Sequence, residues 1–320
     1  MPANVWSNEA LSALTESVYA QAGVSGRVAP QVVSDSDNII HLLASGTLGY
    51  ALTGTTGQLA AGADPLRVPM NLSKVTDGTL QPYALEMYVD RFTQEAAAGD
   101  GVNLSVIATR WLASTMAIIR ERATHAALFN TTTFTGKTTT LSGTDLWSND
   151  ESNPVRDIVD ACRTAAARSG RRMSDMTMLV GGTPWGHLCK HPMFRDIAKR
   201  HGAEYRGVLT EAEIATVCGI KEVIAADQAY ETAAEGATSS IGYVWGNYAL
   251  ALAVDAAPNP ESGRGCAYTV VRNFGVGGDD PVTFQTKAYT EKGDLRQVYQ
   301  TLAKWLISVS STYGQLVSVL

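Results

Sequence analysis

The sequence predicts a mixed α+β fold, on three observations. Apolar residues return at helical spacing through 103–129, a strand–turn–helix succession fills 176–191, and 257–320 breaks into short β-prone runs. No regular strand–helix–strand alternation runs along the chain, so a doubly wound parallel sheet is not expected.

Each element has its own reason. Ser7 is placed to cap a short helix carrying Ala10, Leu11, Leu14 and Val18, and Gly23 stops it. Residues 46–81 are rich in Gly, Thr and Pro, nearly uncharged and without helical period. They read as a long two-stranded arm with extended ends at 47–52 and 69–75, because a structureless loop of that length inside a compact domain is improbable unless it has a job. Packing on another subunit is such a job.

Asn103 caps the longest helix, 103–129. One apolar set is Leu104, Ile107, Trp111 and Ile118, with Ala108, Leu112, Thr115, Ile119, Ala123 and Ala126 beside it. Arg110, Arg120, Glu121 and Arg122 fall mainly on the other side. Such a helix spans about 40 Å and suggests a structural spine.

Polar residues 130–153 read as a linker. Pro154 then opens a helix that ends near Gly170, and Met176–Val180 is a buried strand. Gly181-Gly182-Thr183-Pro184 turns into a helix holding Trp185, Leu188 and Cys189, which stops at His191-Pro192. Thr210 and Glu213 form a capping box for a helix ending at Gly219. Strand-like runs follow at Lys221–Ala225, Ile241–Leu252, Ala267–Arg272, Val282–Ala288, Leu306–Val309 and Leu316–Leu320.

Composition narrows the function classes. The 320 residues are 45% hydrophobic but only 18% charged, with 29 glycines. Soluble domains usually carry ~25% charge. Interface centres are depleted in Lys, Glu and Asp, so a chain built to touch copies of itself has this composition, which a plain enzyme can share. The net charge of −6 argues against tight nucleic-acid binding and against attachment to anionic membrane. No apolar run approaches the ~20 residues of a spanning helix. Met1-Pro2-Ala3-Asn4 lacks the basic-then-apolar pattern of a secretory signal, so none is expected. Cys162, Cys189, Cys218 and Cys266 form no C-x-x-C pair and read as reduced thiols.

Catalytic motifs fail one by one, and no catalytic, cofactor-binding or metal-ligating residue is assigned. Gly136-Lys137-Thr138 resembles the end of a phosphate loop, yet Thr131 stands where its first glycine belongs. Asp35-Ser36-Asp37-Asn38 starts like a calcium loop, but Ile40 and Gly46 occupy its glycine and glutamate positions. His187 and His191 are four apart on the expected helix, a zinc-compatible spacing, but no glutamate follows His187; the plainer reading is a surface pair near a helix end. Ser25 does not fit a nucleophile elbow, and Asp279-Asp280 sit in a glycine turn. The six tryptophans are spread out and read as core or interface anchors.

The order of parts resembles the major capsid protein of tailed bacteriophages, the Hong Kong 97-type fold. PVRDIVDACRTAAARSG resembles that family's first central-domain helix, and MTMLVGGTPWGHLCKHPMFRDIAKR its strand, turn and following helix. LTEAEIATVCGIKEVIAADQAY resembles the helix–Gly-Ile–strand element and YVWGNYALALAV the strand pair after it. The resemblance implies an N-terminal arm (1–45), an extended loop (46–81), a peripheral domain with the spine helix (82–153), an axial α/β domain (154–256) and return strands, mostly peripheral (257–320).

It further implies pentamers and hexamers tiling an icosahedral shell around double-stranded DNA, with portal, scaffolding and decoration proteins as partners and the virion as location. No cofactor is implied. The spine begins about a hundred residues in and the arm occupies much of that space, which leaves no room for the family's long built-in scaffold segment, so a separate scaffolding protein is expected. Lys74 is the sole lysine in 46–81 and hence the one loop candidate for subunit cross-linking. Two alternatives stand beside this reading: an encapsulin-type compartment, and a metal-dependent enzyme using His187 and His191.

Overall fold

The structure is a computed structural model and describes residues 11–12, 23–45, 71–100, 102–200, 209–231, 238–255, 265–274, 283–291 and 296–319. Its helices are α1 (Ser25–Val28), α2 (Arg91–Gly99), α3 (Leu104–Leu128), α4 (Pro154–Ser169), α5 (Gly182–Leu188), α6 (Pro192–Arg200) and α7 (Glu211–Cys218). The first strands are β1 (Gln31–Ser34), β2 (Asn38–Ser45), β3 (Asn71–Thr79), β4 (Gln81–Asp90) and β5 (Thr138–Thr140). Then come β6 (Met176–Gly181), β7 (Glu222–Ala226), β8 (Ala229–Glu231), β9 (Ile241–Tyr243) and β10 (Tyr248–Ala253). The last are β11 (Ala267–Arg272), β12 (Phe284–Thr290), β13 (Arg296–Val309) and β14 (Gly314–Ser318).

Two five-stranded sheets organise these elements. In the first, β13 pairs with β4 along one edge and with β12 and β11 along the other, and β1 adds in parallel beside β11. In the second the order is β5-β14-β10-β6-β7. Its three central strands are buried on both faces. Met176, Met178, Val180, Ala249, Ala251 and Val317 face α4, while Leu179, Leu250, Leu252 and Leu316 face Leu128, Phe134 and Trp245. A strand covered on both sides has to read as a continuous apolar run, which is why these strands are visible in the sequence.

Helix α3 bridges the two sheets. Asn103 Oδ1 accepts from the Ser105 and Val106 amides, satisfying the start of the helix as expected. Ala108 and Leu112 pack on Tyr299 of the first sheet, and Met116 and Ala117 on Val271, Phe284, Ala303 and Trp305. At its far end Leu128 and Phe129 join the core of the second sheet. The buried face corrects the expectation. Ile107 and Trp111 are exposed, whereas Arg120 and Glu121, expected toward solvent, are buried. The period defines a helix, but the two sheets packed against it decide which stripe each covers.

The arm is corrected too. β2 pairs with β3 from Asn38 to Thr79, with a bulge at Ile39/Ile40, so one strand of the ribbon lies upstream of residue 46. The apolar NIIHLLAS carries no compositional break, and 46–70, including the run at 47–52, lies outside the described residues. Residues 130–153 are likewise no plain linker. They bury Phe134 and Trp147 and contribute β5, which pairs in parallel with β14.

Other expectations hold with shifted limits. Pro154 opens α4, where Asn153 supplies an unexpected cap, Thr210 and Glu213 form the capping box of α7, and Gly170 and Gly219 end their helices in left-handed conformation. The turn at Gly182 is already helical, so α5 begins two residues before Pro184. The run 241–252 splits into β9 and β10 around a turn at 244–247. Leu306–Val309 is only the end of β13, whose earlier part alternates Tyr299, Thr301, Ala303 and Trp305 inward with half-buried partners. That alternation, like Tyr83, Leu85, Met87 and Val89 of β4, has period two but too few aliphatics to stand out. Leu11 and Ser12 are helical, and the Ser12 hydroxyl accepts from the Thr286 amide at 3.0 Å, covering the outer edge of β12. The rest of Ser7–Tyr19 lies outside the described residues.

Candidate functional site

The most constrained constellation is a buried polar joint where three distant segments meet. From α3 come Arg120 and Glu121, from the N-terminal segment Gly23 and Ser25, and from the β9–β10 turn Trp245. Glu121 has no exposed surface. Its Oε1 accepts from the Ser25 amide at 2.8 Å and its Oε2 from Trp245 Nε1 at 3.1 Å. Arg120 Nε donates to Ser25 Oγ at 3.0 Å. A Cβ on Gly23, where φ is +91°, would lie 1.8 Å from Glu121 Oε1, so only glycine lets the chain cross the carboxylate. The Trp245 ring meets Phe129 and His125 edge-on at 5.2 and 5.7 Å. Arg27 extends the joint to Glu222 of β7 at 3.3 Å.

Burial pushes the Glu121 carboxyl above its ordinary value, against the Ser25 amide, Arg120 and Trp245, which pull it down. Burial also pushes the His125 imidazole down. The two act oppositely on stability. Glu121 holds its proton more tightly folded than unfolded, so its contribution rises as pH falls through its folded pKa toward the unfolded value. His125 holds its proton less tightly folded, so its contribution is lost as pH falls below about 6.5. Urea unfolding at pH 7 and pH 5 is expected to show Glu121→Gln losing the acid-side gain and His125→Asn losing the acid-side loss. Parallel pH profiles for wild type and both variants would show that neither group governs the dependence.

The other candidates resolve into structure. His191 is not on the helix of His187. That helix ends at Leu188, and His191 is the buried residue before α6. Its Nδ1 accepts from the Met193 amide at 3.3 Å, so Nε2 carries the proton and donates to Asn149 O at 3.1 Å beside Ser152 Oγ at 3.2 Å. With both nitrogens engaged, His191 is neither the zinc ligand nor the surface residue that spacing suggested. His187 and His191 do line one cavity of about 420 Å³ with Asp150, Thr183, Lys190 and Tyr243. Among the described residues no group of three His, Cys, Asp or Glu is placed to hold a metal ion.

Lys137 Nζ donates to Ser311 Oγ at 2.8 Å, a packing contact beside β14. Asp37 binds Lys304 Nζ at 3.0 Å, and Asp35 Oδ1 accepts from Asn273 at 3.1 Å, so the acidic turn between β1 and β2 is pinned to β13 and to the end of β11. The four cysteines are free and buried. Desolvation pushes Cys162, Cys218 and Cys266 up to about 12 and Cys189 to about 11, which closes thiolate chemistry to them near neutral pH. Lys74 lies on β3 opposite Leu42. Asp279-Asp280 and His201 fall outside the described residues, within which no single helix is long and apolar enough to cross a membrane.

Sequence reasoning missed the joint because its members lie about a hundred residues apart and two of them look like surface charges. The one local signal was the adjacent Arg120-Glu121 within an apolar helix.

Two sheets are strapped together by one long helix, and a two-stranded ribbon departs from them. Solved structures share this fold. The chain is similar to a phage-related protein from Bordetella bronchiseptica RB50, at 17% identity over 96% of this chain and 95% of that one, TM-score 0.71. It is similar to a candidate capsid protein of an Escherichia coli prophage, at 12% identity over 98% and 99% of the two chains, TM-score 0.55. An encapsulin from Synechococcus elongatus matches at 10% identity over 92% and 86%, TM-score 0.51. No family model and no curated protein matches the sequence. At these identities the likeness is one of fold, and the fold is the Hong Kong 97-type capsid fold expected above.

Proposed function

We propose that this chain is the major capsid protein of a tailed phage, a structural rather than catalytic protein that assembles as pentamers and hexamers into an icosahedral shell around double-stranded DNA. The observation that carries this is fold likeness over nearly the whole of both chains to a phage-related protein and to a candidate prophage capsid protein.

On this reading the second sheet belongs to the axial domain, the first sheet and α3 to the peripheral domain, and the β2–β3 ribbon is the base of the extended loop. Portal, scaffolding and decoration proteins are the further partners, and the virion shell is the location. The encapsulin-type compartment has the weaker support, since its match is lower in TM-score and coverage than those of the phage-related protein and the candidate prophage capsid protein.

Negative-stain electron microscopy after size exclusion tests the proposal. Closed angular shells, or tubes and rings of capsomers, are the expected result, from the chain alone or with its scaffold. A monodisperse monomer or dimer, unchanged at high concentration and with scaffold added, would overturn it.

A further inference from the structure

Three aromatic rings stand in solvent near one end of the first sheet. Tyr88 of β4 is 64% exposed, Tyr289 of β12 is 44% exposed, and Phe92 in the first turn of α2 is 69% exposed. Strand register sets Tyr88 and Tyr289 on either side of Val298 of β13. Tyr88 and Tyr289 point away from α3, because their chain neighbours Met87 and Ala288 pack against the cluster of Leu112 and Tyr299.

The Tyr88 and Tyr289 rings are held in place. The Tyr289 hydroxyl hydrogen-bonds Glu86, and Glu86 accepts from Gln300 Nε2 at 2.5 Å. The guanidinium of Arg296 lies 4.9 Å from the centre of the Tyr88 ring. Each link removes rotamer freedom before a partner arrives, lowering the entropic cost of docking. Random exposure of single apolar side chains is ordinary, but an ordered aromatic row with an arginine has the composition of an interface centre.

We propose that this face is a contact between two copies of the chain, with Tyr88 and Tyr289 as its anchors. The proposal rests on the shell reading and names one of its interfaces. Area and charge select the occupant. At ~200 Å² per aromatic side chain the exposed parts of the three rings present about 350 Å², nearly half of what each partner gives to a stable interface. The surrounding charges carry both signs, with Glu86 and Glu291 against Lys287 and Arg296, all exposed. A nucleic acid or an anionic membrane would meet acidic residues there. A second copy presents the same mixture and can pair it reciprocally.

The test uses the full chain under the conditions that assemble it. Tyr88→Thr/Tyr289→Thr keeps β-prone residues on an exposed face, so its circular dichroism and melting are expected to match wild type. Its critical concentration for assembly is expected to rise about tenfold or more. In parallel, a photoactivatable benzophenone side chain at position 289 is expected to cross-link one copy to another. Particles that form at unchanged concentration and give no cross-link from 289 would overturn this contact while leaving the shell reading intact. If wild type forms no particles, the shell reading fails and the photoreactive chain still decides: concentration-dependent dimers from 289 support the contact, and their absence rejects it. Should the double variant misfold, the cross-link and Tyr88→Thr alone carry the same decision.

Discussion

Glu121→Ala is expected to cost the chain about 3–5 kcal/mol of folding stability, the range for removing one partner from a buried charged network. The Ser25 amide and Trp245 Nε1–H would lose the oxygens that accept from them at 2.8 and 3.1 Å. Each buried donor left without an acceptor costs about 1–3 kcal/mol. Arg120 would keep its bond to Ser25 but lose the negative charge beside it. Glu121→Gln should cost less, because one amide oxygen can still accept while its NH₂ faces a donor. Urea unfolding followed by tryptophan fluorescence measures this, with Trp245 one of six tryptophans that contribute. A loss below about 1 kcal/mol for the alanine variant would mean that water reaches the carboxylate and the joint is not dry. Because the joint ties the segment carrying β1 to both α3 and the second sheet, the variant should also fail to assemble.

Gly181→Ala is expected to be comparably damaging for a different reason. A Cβ at Gly181 would lie 2.0 Å from Gly246 O and 3.1 Å from Tyr248 O. Both are backbone atoms, and the adjacent Gly182 amide donates to Trp245 O at 3.2 Å, so the end of β6 is held against this turn. No side chain can rotate away, and relief requires moving the turn that carries Trp245. About 3 kcal/mol or more is expected, or failure to accumulate as folded protein. Gly186→Ala is the control. Its Cβ would meet nothing within 4 Å, and it sits in α5. There alanine should be neutral or stabilising by about 0.5–1 kcal/mol. Equal melting temperatures for the two variants would contradict the close approach at Gly181.

The contrast between these two glycines shows what sequence alone can carry. Gly181-Gly182 reads as a turn, which places it between a strand and a helix. That its hydrogen atom faces the carbonyl of Gly246 is a relation between residues far apart, and no local pattern encodes it. The same holds for the joint. Within 103–129 the helical period is a property of neighbouring residues and is legible, as are the caps at Asn103 and Thr210, because hydrogen bonds two or three residues apart create them. Which stripe of α3 faces protein depends on two sheets whose strands come from both ends of the chain. So Arg120 and Glu121 went inside and Ile107 and Trp111 outside, against the expectation.

By itself the sequence determined the α+β class, the spine helix, the buried strands of the second sheet and the want of a recognisable catalytic motif, since short-range periodicity and spacing suffice for these. It also carried the resemblance to capsid proteins, through the succession of parts in 154–256. The tertiary structure alone decided that β4 and β13 form the long axis of the first sheet, that the ribbon starts at Asn38, that His187 and His191 belong to different elements, and that a buried carboxylate joins three segments. The physical reason is common to all four. Strand pairing, register and the fate of a buried charge are set by contacts between residues distant in the chain, and only the folded backbone brings those residues together.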